Sequence, residues 1–139
     1  MHKSVRGIIK KDNGIILIHR LKPRDDGSIR DYYVVPGGKM EQGETEEDTV
    51  KREVFEELGI KVDVERKLLE YNSDYDDSIQ IFYLCKYIEG IVGTGTGPEM
   101  TNKSEYKGSF EPQIVKLEDI SNLNLVPEEI KTFLGKEEI

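Results

Sequence analysis

Apolar residues in this chain come in short runs separated by glycine, proline and acid-rich turns, and their spacing predicts two groups of strands separated by an amphipathic helix, with a second helix closing the chain. VRGIIK and IILIHR flank KDNG, and Asn13-Gly14 between two apolar runs is a hairpin signal. LKPRDDGSIRD, residues 21–31, reads as a polar loop. YYVV reads as a short strand stopped at Pro36-Gly37-Gly38, where two glycines permit backbone angles that other residues avoid. After a loop to Gly43 the period changes to that of a helix. It begins near Glu44 or Thr45, with Thr45 available as N-cap, acids in the first turn and Asp48 at the capping-box position. Gly59 ends it as a C-terminal glycine. IKVDVERKLLEY predicts a strand, NSDYDDS a turn, and IQIFYLCKYI a strand apolar on both faces and therefore central in its sheet. Residues 89–112 read as one long connection, of a length that is usually functional or disordered. QIVKL predicts a last strand, and PEEIKTFLG a closing helix with Pro127 at its first position and Gly135 after its end. No repeat or linker interrupts the pattern, so one domain over residues 1–139 is expected.

Composition narrows the class. Hydrophobic residues at 36% and charged residues at 35% fit a soluble globular chain, and no apolar run approaches the roughly 20 residues that span a bilayer. A formal charge of −8 argues against binding a nucleic-acid polymer, because phosphate contacts need clustered Lys and Arg. The start, MHKSVRGIIK, lacks the apolar region of a secretory signal, and the single cysteine, Cys85, has no partner for an internal disulfide. A cytoplasmic location is expected. The negative charge is concentrated: residues 38–60 carry eight acids against three bases.

That segment includes REVFEELG, residues 52–59, with three glutamates in five positions, a spacing at which like charges repel across a helix surface. Taking about 100° per residue and Glu53 as zero, Glu57 falls at about +40° and Glu56 at about −60°, with Val50, Val54 and Leu58 at about +60°, +100° and +140°. The carboxylate arc therefore borders the buried stripe rather than opposing it, and Glu57 is expected to be partly shielded, which raises the cost of leaving the cluster unneutralised. Arg52, at about −100°, offers one cation beside Glu56. Two readings stay open on this geometry: a solvated acidic face, which is the commoner use of such a helix, and a cation site. If cations bind, all-oxygen donors favour Mg2+, Mn2+ or Ca2+ over zinc. Mg2+ in particular takes one or two carboxylates together with waters and substrate phosphates.

The same residues also belong to a wider spacing. From Gly38 the chain reads Gly, five residues, Glu44, seven residues, Arg52-Glu53-Val54, one residue, Glu56-Glu57, one residue, Gly59-Ile60. This matches every fixed position of the signature of the Nudix hydrolases, the MutT-like family, and Pro36-Gly37 before it is also similar to that family. The signature covers 23 residues, about a sixth of the chain. The resemblance implies an α/β fold, an α/β/α sandwich with a mixed β-sheet and a loop-helix-loop metal-binding motif. Carried over residue by residue, it implies divalent cations, Mg2+ with Mn2+ as a substitute, held through Glu53, Glu56 and Glu57. Arg52 and Glu44 would orient those groups, and Gly37 and Gly38 would let the backbone approach a metal or phosphate. Glu53 is a candidate general base. Because family members differ in where the base lies, Glu99 in GTGPEM is a further candidate ligand or base, with Glu105 its rival. The implied reaction is attack of water on phosphorus in a nucleoside diphosphate linked to a further group, with (deoxy)nucleoside triphosphates, including oxidised ones, as the expected substrates in a housecleaning role. ADP-ribose, nucleotide sugars and dinucleoside polyphosphates are the alternatives, and a metabolite-sensing module without turnover is the rival of another class.

The remaining features carry less. GTGTG at 93–97 lacks the GK[ST] of a phosphate loop and reads as a flexible loop, and DYDDS lacks the glycine and later glutamate of an EF-hand. His2 and His19 show no metal-ligand spacing, and Cys85 reads as a small buried hydrophobe. Lys22, Arg24 and Arg30 are candidates to meet phosphates from the side opposite the metals. Tyr32 and Tyr33 precede PGG where family members often have an aromatic, and Tyr33 is the candidate to stack on a base. No proline stands downstream of the box where ADP-ribose members carry one, and Tyr75 lies near the tyrosine of dinucleoside-polyphosphate members. The expected partner is a small-molecule nucleotide, with no membrane, and the chain is expected to be a monomer or homodimer.

Overall fold

β1 (His2–Lys11) organises the sheet because it changes partners along its length. One edge runs parallel to β6 (Ser78–Gly90) from His2 to Lys10. On its other edge Ser4–Arg6 pairs with β4 (Gly37–Lys39), and only Lys10 and Lys11 pair with β2 (Gly14–Pro23). The sheet therefore forks at β1. Beyond the fork β2 carries β3 (Ile29–Val34) on one side and β7 (Ser109–Lys116) on the other. β5 (Ile60–Asn72) lies antiparallel outside β6, and β8 (Leu125–Val126) parallel to β3. The structure, a computed structural model, describes residues 2–96 and 108–139.

Among the described residues two α-helices cover the sheet. α1 (Glu46–Leu58) buries Val50, Val54 and Leu58 completely against Val5, Ile9, Ile81 and Cys85, and each such side chain stabilises the fold by about 1.5–3 kcal/mol. On the opposite face α2 (Glu128–Lys136) places Ile130 in a second core with Ile8, Leu17, Phe82 and Leu125. Helix, mixed sheet and helix form the α/β/α sandwich, and the helical spacing of Val50, Val54 and Leu58 correctly identified the buried stripe of α1. β6 lies between β5 and β1, which explains its two apolar faces. Among the described residues no helix is long and apolar enough to cross a membrane.

Several boundaries differ from the pattern-based expectation. The hairpin turn is Asp12-Asn13, with φ of 50° and 67°, and Gly14 already pairs with Lys11 in the ladder. Gly14 is needed for a different reason, since a Cβ there would run into the backbone carbonyl of Val115 on β7. Residues 21–31 are mostly ladder: β2 and β3 stay paired out to Pro23 and Ile29, because a polar hairpin tip in solvent keeps its backbone bonds without an apolar face. β7 begins at Ser109, within the stretch read as connection. Pro127 is the N-cap of α2 rather than its first residue, and Gly135 lies inside the helix. Residues 93–96 are packed on the end of α1: Gly93 N–H donates to Leu58 O at 3.0 Å, and a Cβ on Gly95 would strike the carbonyls of Glu56 and Glu57.

Candidate functional site

The ends of α1 fix its rotation and so decide where its carboxylates fall. Thr45 Oγ1 accepts from Asp48 N–H at 3.1 Å while Asp48 Oδ2 accepts from Thr45 N–H at 3.2 Å, the reciprocal box read from the sequence. Glu46, Glu47 and Asp48 occupy the positive end of the helix dipole. At the other end Gly59 adopts φ 76° and donates to Phe55 O at 2.9 Å.

With Val50, Val54 and Leu58 turned inward, Glu53 and Glu57 come to rest beside β4. Glu57 is only 7% exposed and accepts the Gly37 N–H at 2.9 Å. The Glu53 carboxylate lies against Gly38 so closely that a Cβ there would stand 2.6 Å from its Cδ. Gly37 has φ 148°, and its own Cβ would run into the Val5 carbonyl. Close approach thus sets both glycines, which lie in β4 rather than in the turn expected from the sequence, and at Gly37 the backbone angle does so as well.

Arg52 ties the loop to the helix. Its Nε donates to Glu44 Oε2 at 2.7 Å and Nη2 to Glu44 Oε1 at 3.0 Å, a two-pronged bond. Nη1 donates to Glu53 at 3.0 Å and Glu56 at 3.3 Å and lies 3.7 Å from Glu41, while Nη2 also reaches Lys39 O at 3.1 Å. Glu44 Oε1 further accepts from Glu41 N–H at 2.8 Å and Thr49 Oγ1 at 3.1 Å. The Arg52 hydrogen bond, foremost, holds the Glu44 carboxyl down at about 2, and its bonds to Glu44 raise the Arg52 guanidinium above its ordinary range. Glu46 is neutralised from outside the segment, by Lys67 at 3.1 Å, Lys3 at 3.5 Å and a hydrogen bond from Tyr83 Oη at 2.8 Å. Its carboxyl is lowered despite burial by these partners.

Gly37, Gly38, Glu44, Arg52, Glu53, Glu56 and Glu57 therefore form one contiguous group. Glu99 and Glu105 lie outside the described residues. Lys22 and Arg30 face each other across the β2–β3 ladder, Arg24 donates to Ser28 Oγ at 3.2 Å, and Arg30 sits 4.0 Å over the Tyr32 ring. Among the described residues none of these three forms a hydrogen bond or ion pair with α1. Tyr33 stacks on His19 with ring centroids 4.5 Å apart and its hydroxyl donates to Gln113 at 3.4 Å, so its contacts also lie away from α1. The sequence reading passed over Arg6, Tyr71 and Gln80, which with Arg30 line a cleft of about 490 Å³. The signal was available in β1, where a charged residue interrupts the apolar run VRGII.

A divalent cation suits the donor set by its chemistry, since Glu53, Glu56, Glu57 and the backbone at Gly37 and Gly38 offer oxygen alone. Among the described residues no three acidic, His or Cys side chains form a ready-made cage. Mg2+ does not require one, because it keeps waters and shares its coordination with substrate phosphates. The Glu53 and Glu56 oxygens now engaged by Arg52 mark where positive charge is accommodated.

The chain is similar to known proteins in sequence and fold. The family model described as NUDIX domain matches residues 1–133. An ADP-ribose pyrophosphatase of Methanocaldococcus jannaschii is 36% identical over 96 residues, covering 66% of this chain and 54% of that protein. An 8-oxo-dGTP diphosphatase of Haemophilus influenzae is 38% identical over 87 residues, 61% of each chain. The chain thus spans little more than half the length of such curated relatives. Among solved structures, a NUDIX hydrolase from Nitrosomonas europaea superposes with a TM-score of 0.71 at 16% identity, over 98% of this chain and 71% of the other, a likeness of fold.

Proposed function

This chain belongs to the Nudix family, and from that premise we propose that it is a Mg2+-dependent nucleotide pyrophosphohydrolase acting on (deoxy)nucleoside triphosphates, oxidised ones included, in a housecleaning role. The observation that carries the reading is the junction of β4 and α1, where Glu57 takes the Gly37 N–H and Arg52 joins Glu44, Glu53 and Glu56. Glu53, Glu56 and Glu57 hold the cation, with Mn2+ as a substitute. When bound, that cation neutralises charge on the diphosphate and makes water more acidic.

The chain's own residues do the rest. Arg52 fixes the Glu44 carboxylate in two-pronged geometry and steadies Glu53 and Glu56, so these groups are oriented before substrate arrives. Glu53, against the bare Gly38 backbone, is the general base that takes a proton from the attacking water, with Glu99 as the alternative. Gly37 and Gly38, which lack side chains beside Glu53 and Glu57, are the candidates to let the backbone reach a metal or phosphate. Arg30, Lys22 and Arg24 add positive charge on the β2–β3 hairpin for the polyphosphate, and Tyr33 is the candidate to stack on the base. The relative named 8-oxo-dGTP diphosphatase supports the triphosphate reading. The relative named ADP-ribose pyrophosphatase supports the second, in which ADP-ribose is the substrate.

A panel assay tests both. Purified protein with Mg2+ is offered canonical and oxidised (deoxy)nucleoside triphosphates, ADP-ribose, nucleotide sugars and dinucleoside polyphosphates. The expected result is chelator-sensitive hydrolysis of a triphosphate with kcat/KM of about 10⁴ M⁻¹s⁻¹ or more, lost in Glu57→Gln. Hydrolysis of ADP-ribose alone would establish the second reading, and silence of the folded protein on every compound would favour a sensing module.

A further inference from the structure

The cleft lined by Arg6, Tyr71 and Gln80 adjoins the carboxylate network, because Arg6 pairs with Gly37 in the ladder, and it carries its own pattern of donors. Val5 and Ile9 of β1 pack toward α1, as do Ile81 and Cys85 of β6. Alternation along each strand therefore turns Arg6 and Gln80 to the opposite face. There, with Tyr71 of β5 and the flanking Val34 and Pro127, they enclose about 490 Å³, within the range of small-ligand sites.

Three polar groups in this cleft are prepared for a ligand. Arg6 Nη1 donates to Val35 O at 3.0 Å, which anchors the guanidinium beside the strand leading into Pro36-Gly37-Gly38. Its other N–H groups have no acceptor among the described residues. The Tyr71 hydroxyl is buried and has no hydrogen-bond partner among the described residues, while its ring stacks on Phe82. A buried donor left unpaired is costly, so a group that accepts from this hydroxyl gains by completing it. Burial, first of all, pushes the Tyr71 hydroxyl up to about 12, so it stays protonated and able to donate. Gln80 Nε2 donates to Ser78 Oγ at 2.8 Å, which leaves the amide oxygen as an acceptor.

We propose that Arg6 and Tyr71 determine base specificity, with the guanidinium and hydroxyl donating to a purine edge that carries two adjacent acceptors, as O6 and N7 of guanine do. The planar fork of arginine matches that pair of acceptors. Gln80 supplies an acceptor for a ring N–H of the same base. Adenine presents an amino donor where O6 would be, so one of the two contacts becomes a clash of donors. 8-Oxoguanine carries a proton on N7 and keeps O6 alone. Both bases that carry an O6 acceptor, guanine and 8-oxoguanine, are therefore preferred over adenine. This inference rests on the reading that the substrate is a nucleotide.

The test pairs turnover with binding. kcat/KM is measured for GTP, 8-oxo-GTP and ATP, and GMP and AMP binding is measured by calorimetry without metal, so that the cleft is read independently of hydrolysis. Tyr71→Phe deletes an unpaired hydroxyl, so its Tm should equal or exceed that of the parent while guanine-nucleotide kcat/KM and GMP affinity fall about tenfold. Arg6→Lys keeps the charge but loses the fork, and the guanine-to-adenine ratio should fall about tenfold. An active enzyme whose two variants match the parent on all nucleotides overturns the base-reading role and leaves the hydrolase reading intact. Selective GMP binding that is lost in Tyr71→Phe, in a protein that hydrolyses no nucleotide, upholds the role and sinks the hydrolase reading. A parent that binds GMP and AMP equally overturns the role.

Discussion

Glu44 holds its charge because Arg52 grips both its oxygens, and that grip makes a pH-dependent contribution to stability. The carboxyl stands at about 2 in the folded chain against an ordinary 4.5, so the folded state releases its proton more readily than the unfolded state. A depressed acid contributes stability that is fully present above its ordinary pKa and is lost as pH falls through its folded one. Glu44→Gln removes one partner of a charged hydrogen-bonded pair and is expected to cost about 1–3 kcal/mol at pH 7. Denaturation of parent and variant between pH 7 and pH 2 should show the gap closing below about pH 4.5; a gap of constant size would mean that the ion pair is not its source. Gly38 tests position rather than charge. In Gly38→Ala a methyl would stand 2.6 Å from the Glu53 Cδ, so the carboxylate must swing away. Hydrolysis is expected to fall about 100-fold, the scale at which a misplacement near 1 Å acts, and far-UV circular dichroism should stay unchanged.

At the scale of elements, α1 is a helix whose two ends are specified by single residues. Thr45→Ala deletes half of the capping box and should lower stability by about 1 kcal/mol. Gly59→Ala should cost more, because φ is 76° and the new Cβ would meet the backbone of Thr94. Urea titration of the two variants checks the order, and a Gly59→Ala chain as stable as the parent would mean that the 91–96 segment yields easily. α1 was legible in the sequence for the same reason that it is testable: caps, dipole acids and the apolar stripe are all encoded between Thr45 and Gly59. The β2–β3 hairpin was not, since Leu21, Lys22, Arg30 and Asp31 carry no apolar alternation and are held by ladder bonds whose partners lie across the turn. The turn itself was displaced by one residue because Asp12 and Asn13 both tolerate positive φ, while Gly14 answers to β7, a strand distant in the chain. Among the site residues, the box was legible from spacing. Arg6, Tyr71 and Gln80 come together only through the pairing of β1, β5 and β6, which no local pattern records.

Over the whole molecule the question is how a chain of charge −8 would accommodate the polyanionic substrate proposed for it. Counting charge along residues 38–60 overstated the local excess, because Lys3 and Lys67 arrive from β1 and β5 to meet Glu46. Glu41, Glu44, Glu53 and Glu56 all converge on the Arg52 guanidinium. A solvated acidic face and a cation site respond differently to salt. Mutual repulsion is screened by any ion, with a Debye length of about 10 Å at 0.1 M, so a bare acidic face gains the same stability from Na+ as from Mg2+ at equal ionic strength. A site instead stabilises the fold by RT ln(1 + [L]/Kd), about 2.7 kcal/mol at 100 times Kd, and for a chain of 139 residues this raises Tm by about 10 °C. The expected outcome is a Tm that climbs with the logarithm of Mg2+ concentration above a matched NaCl control. That climb should vanish in the Glu56→Gln, Glu57→Gln double variant while the NaCl response remains. Equal curves for the two salts in the parent would assign the acidic helix to solvation alone, and would leave the charge of an incoming polyphosphate to be met by Arg52 and the β2–β3 hairpin.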